Sequence, residues 1–228
     1  LFKNNEGMDL PGTFTGDWSK GKVYWLDYLL DHYIYQANTD GSSRKPVATK
    51  QIYYPTSFAV DSATNEIYWV NGQSSYQKDS AGAVMKGKSN TDIQQLVSSG
   101  GRKLYAFALD AAHARMYWTD LSSPAQIMGS DLDGTHVASI VSSDLGAPVG
   151  LGLDVAKGKI YWIDQSKKRI ERANLDGSDR EILLTTDIKL PYTLKLDLEN
   201  RKMYWSDEGS QKILRANLDG TDVETVVM

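Results

Sequence analysis

Residues 202–207 read KMYWSD, which places a tyrosine, a tryptophan and an aspartate within four positions. Alone, the stretch suits a ligand cradle, with two aromatic surfaces and a carboxylate to orient a sugar or a peptide. Its recurrence gives it another meaning. Tyr-Trp stands at 24–25, 68–69, 117–118, 161–162 and 204–205, with Trp-to-Trp spacings of 44, 49, 44 and 43 residues. Two positions after each Trp comes Asp27, Asn71, Asp120, Asp164 or Asp207. Eight positions before it comes Asp17, Asp61, Asp110, Asp154 or Asp197. Six before that Asp stands Pro11, Pro55, Pro148 or Pro191, with Leu104 in the third copy. A fixed period of this length is the signature of a repeat architecture.

The second half of each unit recurs as well. YIYQANTDG (33–41), QIMGSDLDG (126–134), RIERANLDG (169–177) and KILRANLDG (212–220) all end in Asp-Gly. The second copy departs: AVMKGKSNT (83–91) puts Asn90-Thr91 at that turn, and NGQSSYQKDSAGA (71–83) carries extra residues.

Each unit divides into four short strands. The first runs from Pro to Asp, a place where proline's missing N–H need not break a ladder. The second carries Tyr-Trp, whose rings suit a pleated, half-buried surface. The third carries Ile34, Val84, Ile127, Ile170 or Ile213, and three residues later Ala37, Gly87, Ser130, Ala173 or Ala216. Asp-Gly is expected to turn the chain tightly, with Gly supplying a positive φ. The fourth strand is the apolar tail, as in IVSS (140–143) or ETVV (224–227).

Four antiparallel strands per roughly 45 residues make a propeller blade. The fold class is therefore all-β: a β-propeller of four-stranded antiparallel blades. The repeats are approximately 11–50, 51–100, 101–145, 146–188 and 189–228, within a single domain over 1–228. A large residue on one blade face calls for a small one on the facing blade, and the pattern assigns Trp and Ala/Gly/Ser to those roles.

Composition narrows the function. The net charge is −4 with no block of one sign, so no nucleic-acid surface is expected. There are no cysteines, which excludes disulfides, thiolate-bound zinc and thiol catalysis. No apolar run reaches the roughly 18 residues of a membrane span. LFKNNEGMDL (1–10) has the character of neither a signal nor a transit peptide.

The Tyr-Trp-x-Asp core, the preceding Asp and the trailing ANLDG resemble the YWTD repeats of low-density lipoprotein receptors, the class B repeats. The third copy carries the literal YWTD at 117–120, and the resemblance runs over 11–228. It implies a non-enzymatic propeller that binds protein ligands at the cell surface or in the matrix, hence a secreted or extracellular protein. It also implies that the Asp after each Trp ties neighbouring blades through backbone hydrogen bonds. Propellers of that family have six blades beside cysteine-rich modules. Here five units stand alone, which favours a closed five-bladed ring, with Leu1–Lys3 near the outer strand of the last blade. A six-bladed ring is the alternative.

The repeated residues read as structural. Asn71 can accept the hydrogen bonds its aspartate counterparts accept, which argues against acid–base work at that position. The earlier ring of Asp17, Asp61, Asp110, Asp154 and Asp197 has two readings. Five converging carboxylates suit Ca²⁺ or Mg²⁺, while the favoured role is capping the turn at the end of strand one, so no cofactor is expected, with Ca²⁺ as the exception the ring allows. DLDGTH (131–136) and NLDGTD (217–222) lack a placed bidentate Glu for a calcium loop, and His32, His113 and His136 lack metal spacing.

Function is therefore expected in unrepeated loop residues: Tyr28, Asp31, His32, Tyr53, Tyr54, Tyr76, Gln77, Arg102 and Lys103, as candidates on one loop face. Aromatic and arginine side chains are the usual anchors of recognition. The expected partner is a protein or a glycan, the latter as a multivalent lectin with equivalent blade sites. A metal-dependent lactone or ester hydrolase is the rival class.

Overall fold

The computed structural model describes residues 11–27, 33–72 and 82–227. Five four-stranded sheets follow one another, each a meander of antiparallel neighbours. The first holds β1 (Pro11–Asp17), β2 (Lys22–Asp27), β3 (Ile34–Asn38) and β4 (Lys45–Ala48). The second holds β5 (Pro55–Asp61), β6 (Glu66–Asn71), β7 (Ala83–Gly87) and β8 (Gln94–Ser98). The third holds β9 (Leu104–Asp110), β10 (Arg115–Asp120), β11 (Gln126–Asp131) and β12 (Ala138–Val141). The fourth holds β13 (Pro148–Asp154), β14 (Lys159–Asp164), β15 (Arg169–Asn174) and β16 (Glu181–Leu184). The fifth holds β17 (Pro191–Asp197), β18 (Lys202–Asp207), β19 (Lys212–Asn217) and β20 (Glu224–Val227). The all-β fold and its five four-stranded blades match the repeat pattern strand for strand. Leu1–Lys3 lie outside the described residues.

The chain divides into two compact units, residues 1–109 and 110–228. Within each, one kind of joint connects successive sheets. In the first unit, Tyr24, Leu26, Ile34 and Ala48 of the first sheet share a cluster with Phe58, Trp69 and Met85 of the second. In the second unit, Tyr117, Ile127 and Val141 cluster with Ile160, Trp162 and Ala173 of the fourth sheet. Successive strand residues point to opposite faces. In these two joints the Tyr of one blade, Tyr24 or Tyr117, therefore faces the following blade, and the Trp of that blade, Trp69 or Trp162, faces back. A buried Trp removes about 200 Å² from water, or about 5 kcal/mol of transfer free energy.

The joint corrects one expectation. Ala173 pairs with Ile160, two residues from Trp162, so Trp and the small residue share a face of one sheet. The small side chain thus leaves room for the preceding blade's tyrosine and does not sit opposite a tryptophan.

The Asp-Gly turn is also longer than expected. The residues between strands three and four are 39–44, 132–137, 175–180 and 218–223. The glycines are left-handed (φ 88°, 85°, 88° and 87° at 41, 134, 177 and 220), as are Ser43, His136, Asp179 and Asp222 two positions later. Side chains brace these loops. Asp133 Oδ1 accepts from Thr135 N at 2.9 Å, and Asn174 Nδ2 donates to Ser178 Oγ at 2.8 Å. Glycine is required for a second reason. A Cβ on Gly220 would lie 2.5 Å from the Leu183 carbonyl oxygen of the preceding blade, and one on Gly177 would overlap the Ile140 carbonyl. The fourth strand of the third sheet, Ala138–Val141, begins and ends two residues before the expected 140–143.

Candidate recognition site

The repeated carboxylates prove to be structural. Asp164 accepts backbone N–H groups from Gly146 (2.7 Å), Ala147 (3.0 Å) and Lys167 (3.1 Å). Asp207 accepts from Lys189 (2.7 Å), Leu190 (3.2 Å) and Ser210 (2.9 Å). Each acceptor thus clasps the linker that enters its own blade. Asn71 does the same, accepting from Tyr53 N and Trp69 Nε1 at 3.1 Å each and donating to the Gln51 carbonyl at 2.8 Å. The tie runs through the linker, and not directly to the neighbouring sheet. Burial pushes the Asp207 carboxyl up, but the three N–H donors outweigh it and hold the group below its ordinary value.

The earlier aspartates cap turns, as favoured. Asp110 accepts from His113 N at 3.1 Å, Asp154 from Lys157 N at 3.2 Å and Asp197 from Asn200 N at 3.0 Å. Asp61 accepts from Ala63 N at 2.9 Å, and Asp17 from Lys20 N at 3.3 Å. Among the described residues, no group of three or more His, Asp or Glu is placed to hold a metal ion.

Of the loop residues expected to carry function, Tyr28, Asp31, His32, Tyr76 and Gln77 fall outside the described residues. Tyr53, Tyr54, Arg102 and Lys103 lie inside, all in the first unit. Tyr54 and Lys103 line one cleft of about 220 Å³, closed by Pro55, Thr56, Gly72, Leu104 and Tyr105. Tyr53 and Tyr54 are exposed beside it, and Arg102 is half-buried. The cleft lies where the entry into β5 meets the entry into β9, with Gly72 contributed from just after β6.

Local backbone conformation explains how the rings are presented. Gln51 and Tyr54 both adopt left-handed φ, 54° and 47°, unusual for a bulky residue. Gly72 N donates to the Tyr54 carbonyl at 2.9 Å, and a Cβ on Gly72 would meet that oxygen and the Thr56 methyl at 2.9 Å. Gly72 therefore admits the turn that aims Tyr54 outward. Thr56 Oγ1 donates to the Tyr105 carbonyl at 2.6 Å and ties the start of β5 to the start of β9. Thr56, Gly72 and Tyr105 were not anticipated; their one sequence signal is that they, too, break the repeat.

Comparisons with known proteins agree with this architecture. The sequence model of the low-density lipoprotein receptor repeat class B family matches residues 21–62, 114–155, 158–196 and 201–228. The divergent second copy is largely passed over. A human low-density lipoprotein receptor-related protein 5-like protein is 29% identical over 152 residues, covering 67% of this chain and 58% of that protein. The vitellogenin receptor of Solenopsis invicta is 27% identical over 157 residues, 67% of this chain and 8% of the receptor. The chain thus spans less than two thirds of these relatives. Among solved structures, a nidogen/laminin complex aligns with a TM-score of 0.79 at 21% identity, over 92% of this chain and 76% of the other. A luciferin-regenerating enzyme aligns with a TM-score of 0.72 at 14% identity, over 96% of this chain and 76% of the enzyme. At such identities these two likenesses speak for the β-propeller fold alone. The family match covers most of the chain, which belongs to the low-density lipoprotein receptor class B repeat family.

Proposed function

We propose that this chain is a non-enzymatic recognition module that binds a protein partner through the cleft between Tyr54 and Lys103. One observation carries the reading: two blade entries that depart from the repeat converge on an apolar recess, with exposed Tyr54 on its lining, exposed Tyr53 next to it in the chain, and the Lys103 cation at its edge. Such a surface supplies aromatic area at low conformational cost, the usual make-up of a binding hot spot. Relatives named as receptors support a binding role, and the nidogen neighbour was solved in complex with laminin, a protein. The same relatives favour an extracellular setting. The enzyme neighbour carries no catalytic assignment to this chain.

The test is binding of secreted and matrix proteins to the immobilised chain, followed by titration of each partner found. Tyr54→Gly keeps the left-handed backbone and removes the ring; Lys103→Glu reverses the charge. Each is expected to weaken binding about tenfold or more, the size of a hot-spot loss above 1 kcal/mol, with an unchanged melting temperature. Partners whose affinity ignores both substitutions would move the site elsewhere, and binding of glycans in place of proteins would overturn the partner class.

A further inference from the structure

The clasp of the second blade differs from those of the fourth and fifth in one bond. There the acceptor takes two linker N–H groups, 18 and 17 positions before it: Gly146 and Ala147 for Asp164, Lys189 and Leu190 for Asp207. Asn71 keeps the first of these, Tyr53 N at 3.1 Å. In place of the second, its Nδ2 donates to the Gln51 carbonyl at 2.8 Å. Oδ1 also accepts from Trp69 Nε1, so one end of the amide meets two N–H groups and the other a carbonyl. An asparagine can accept as an aspartate does, but an ionised aspartate cannot donate. Asparagine can therefore stand in for aspartate at this position of the repeat, whereas the Gln51 carbonyl, set by the left-handed φ of 54° at that residue, calls for an amide.

The residue after Asn71 makes this amide chemically labile. Asn71-Gly72 is the one Asn-Gly pair in the sequence. Glycine has no side chain to hinder attack by its own backbone nitrogen on the preceding side chain. A bond from Gly72 N to Asn71 Cγ closes a succinimide and expels ammonia. Water then opens the ring at either carbonyl and leaves aspartate or isoaspartate. In the folded clasp both reactants are held. Gly72 N donates to the Tyr54 carbonyl at 2.9 Å, and the Asn71 side chain is 2% exposed with its polar atoms bonded. Ring closure therefore requires the linker to open.

We propose that Asn71-Gly72 is a deamidation site guarded by the linker 51–54, and that its acidic product cannot remake the clasp. An aspartate at 71 sets a buried carboxylate oxygen against the Gln51 carbonyl, and relief comes only from moving that peptide. The displaced segment is the one that carries Tyr53 and Tyr54. The modification and its effect on the linker are read directly from the chain, whatever the neighbouring cleft binds.

Peptide mapping by mass spectrometry tests the site on the wild-type chain in mildly alkaline buffer, folded and in denaturant, aged until some asparagine of the folded chain has converted. Asn71 is expected to convert ahead of every other asparagine in both states, and about tenfold or more slowly when folded. Conversion of another asparagine first in the folded chain would defeat the proposal, as would equal rates at Asn71 in the two states. The second arm is Asn71→Asp, expected to melt about 4 °C or more below wild type. An unchanged or raised melting temperature would mean that the acid serves here as it does in the other four repeats, against the proposal. If this variant does not fold, the deamidated fraction of the aged wild type is separated by its added negative charge. Its amides at 52–56 should exchange with solvent faster than those of the parent, with β14 unaltered; unaltered exchange at 52–56 would equally refute the effect on the linker.

Discussion

At the scale of the residue, the tryptophan and the acceptor two positions after it divide the labour. Trp205 is buried against the joint, so Trp205→Ala should cost about 3–5 kcal/mol in chemical denaturation, as large-to-small core changes do. Asp207 accepts two backbone N–H groups from the linker, Lys189 and Leu190, and a third from Ser210 in the loop after its own strand. Asp207→Ala strands these donors and should cost about 3 kcal/mol, while Asp207→Asn, which imitates Asn71, should cost about 1 kcal/mol. The pH dependence follows from the depressed carboxyl. The folded state binds this proton more weakly than the unfolded chain does. Its contribution is therefore complete above the ordinary carboxylate value of about 3.9 and fades as pH falls toward the lower folded value. A stability profile of Asp207→Asn between neutral pH and strong acid should fall less steeply than that of wild type. The exchangeability of Asp and Asn was legible in the sequence; the linker as their target was not, because no spacing rule says which backbone a side chain reaches.

Among the elements, the contrast between two glycines isolates what the loops require. Gly158 closes the turn after Asp154 at φ 63° with nothing within 4 Å of an added Cβ, and the third sheet already places Ala114 there at φ 53°. Gly158→Ala should then cost about 1 kcal/mol or less. Gly177 combines φ 88° with close approach to the Ile140 carbonyl, so Gly177→Ala should cost clearly more, about 2 kcal/mol or above. Thermal unfolding of the pair checks the ordering. Strand order and strand one's bounds were readable because Asp and Tyr-Trp punctuate every copy and Pro four of the five, with Leu104 in the third. The loop after strand three was not, because its length depends on the Asn and Asp side chains that brace it and on the neighbouring blade it touches. The fourth blade adds a network the period could not announce. Glu171 is buried and accepts from Trp162 Nε1, Arg169 Nε and Arg180 Nε, at a position held elsewhere by Tyr35, Met85, Met128 and Leu214.

For the whole molecule, identical sequence patterns do not give identical burial. β20 matches β12 and β16 in register, yet all four of its residues are exposed. Its amides should exchange with solvent faster than those of β12 and β16. Hydrogen exchange read by mass spectrometry would show it. This difference was not legible, since what covers a blade lies in the next repeat. The clasp made by Asp164, Asp207 and Asn71 behaves in the opposite way, because every atom it uses lies within one period of the chain. A tandem duplication would therefore carry its own latch with it. Copy number can change by whole repeats without any new fastening having to arise, whereas a cut through the middle of a repeat would part an acceptor from its linker.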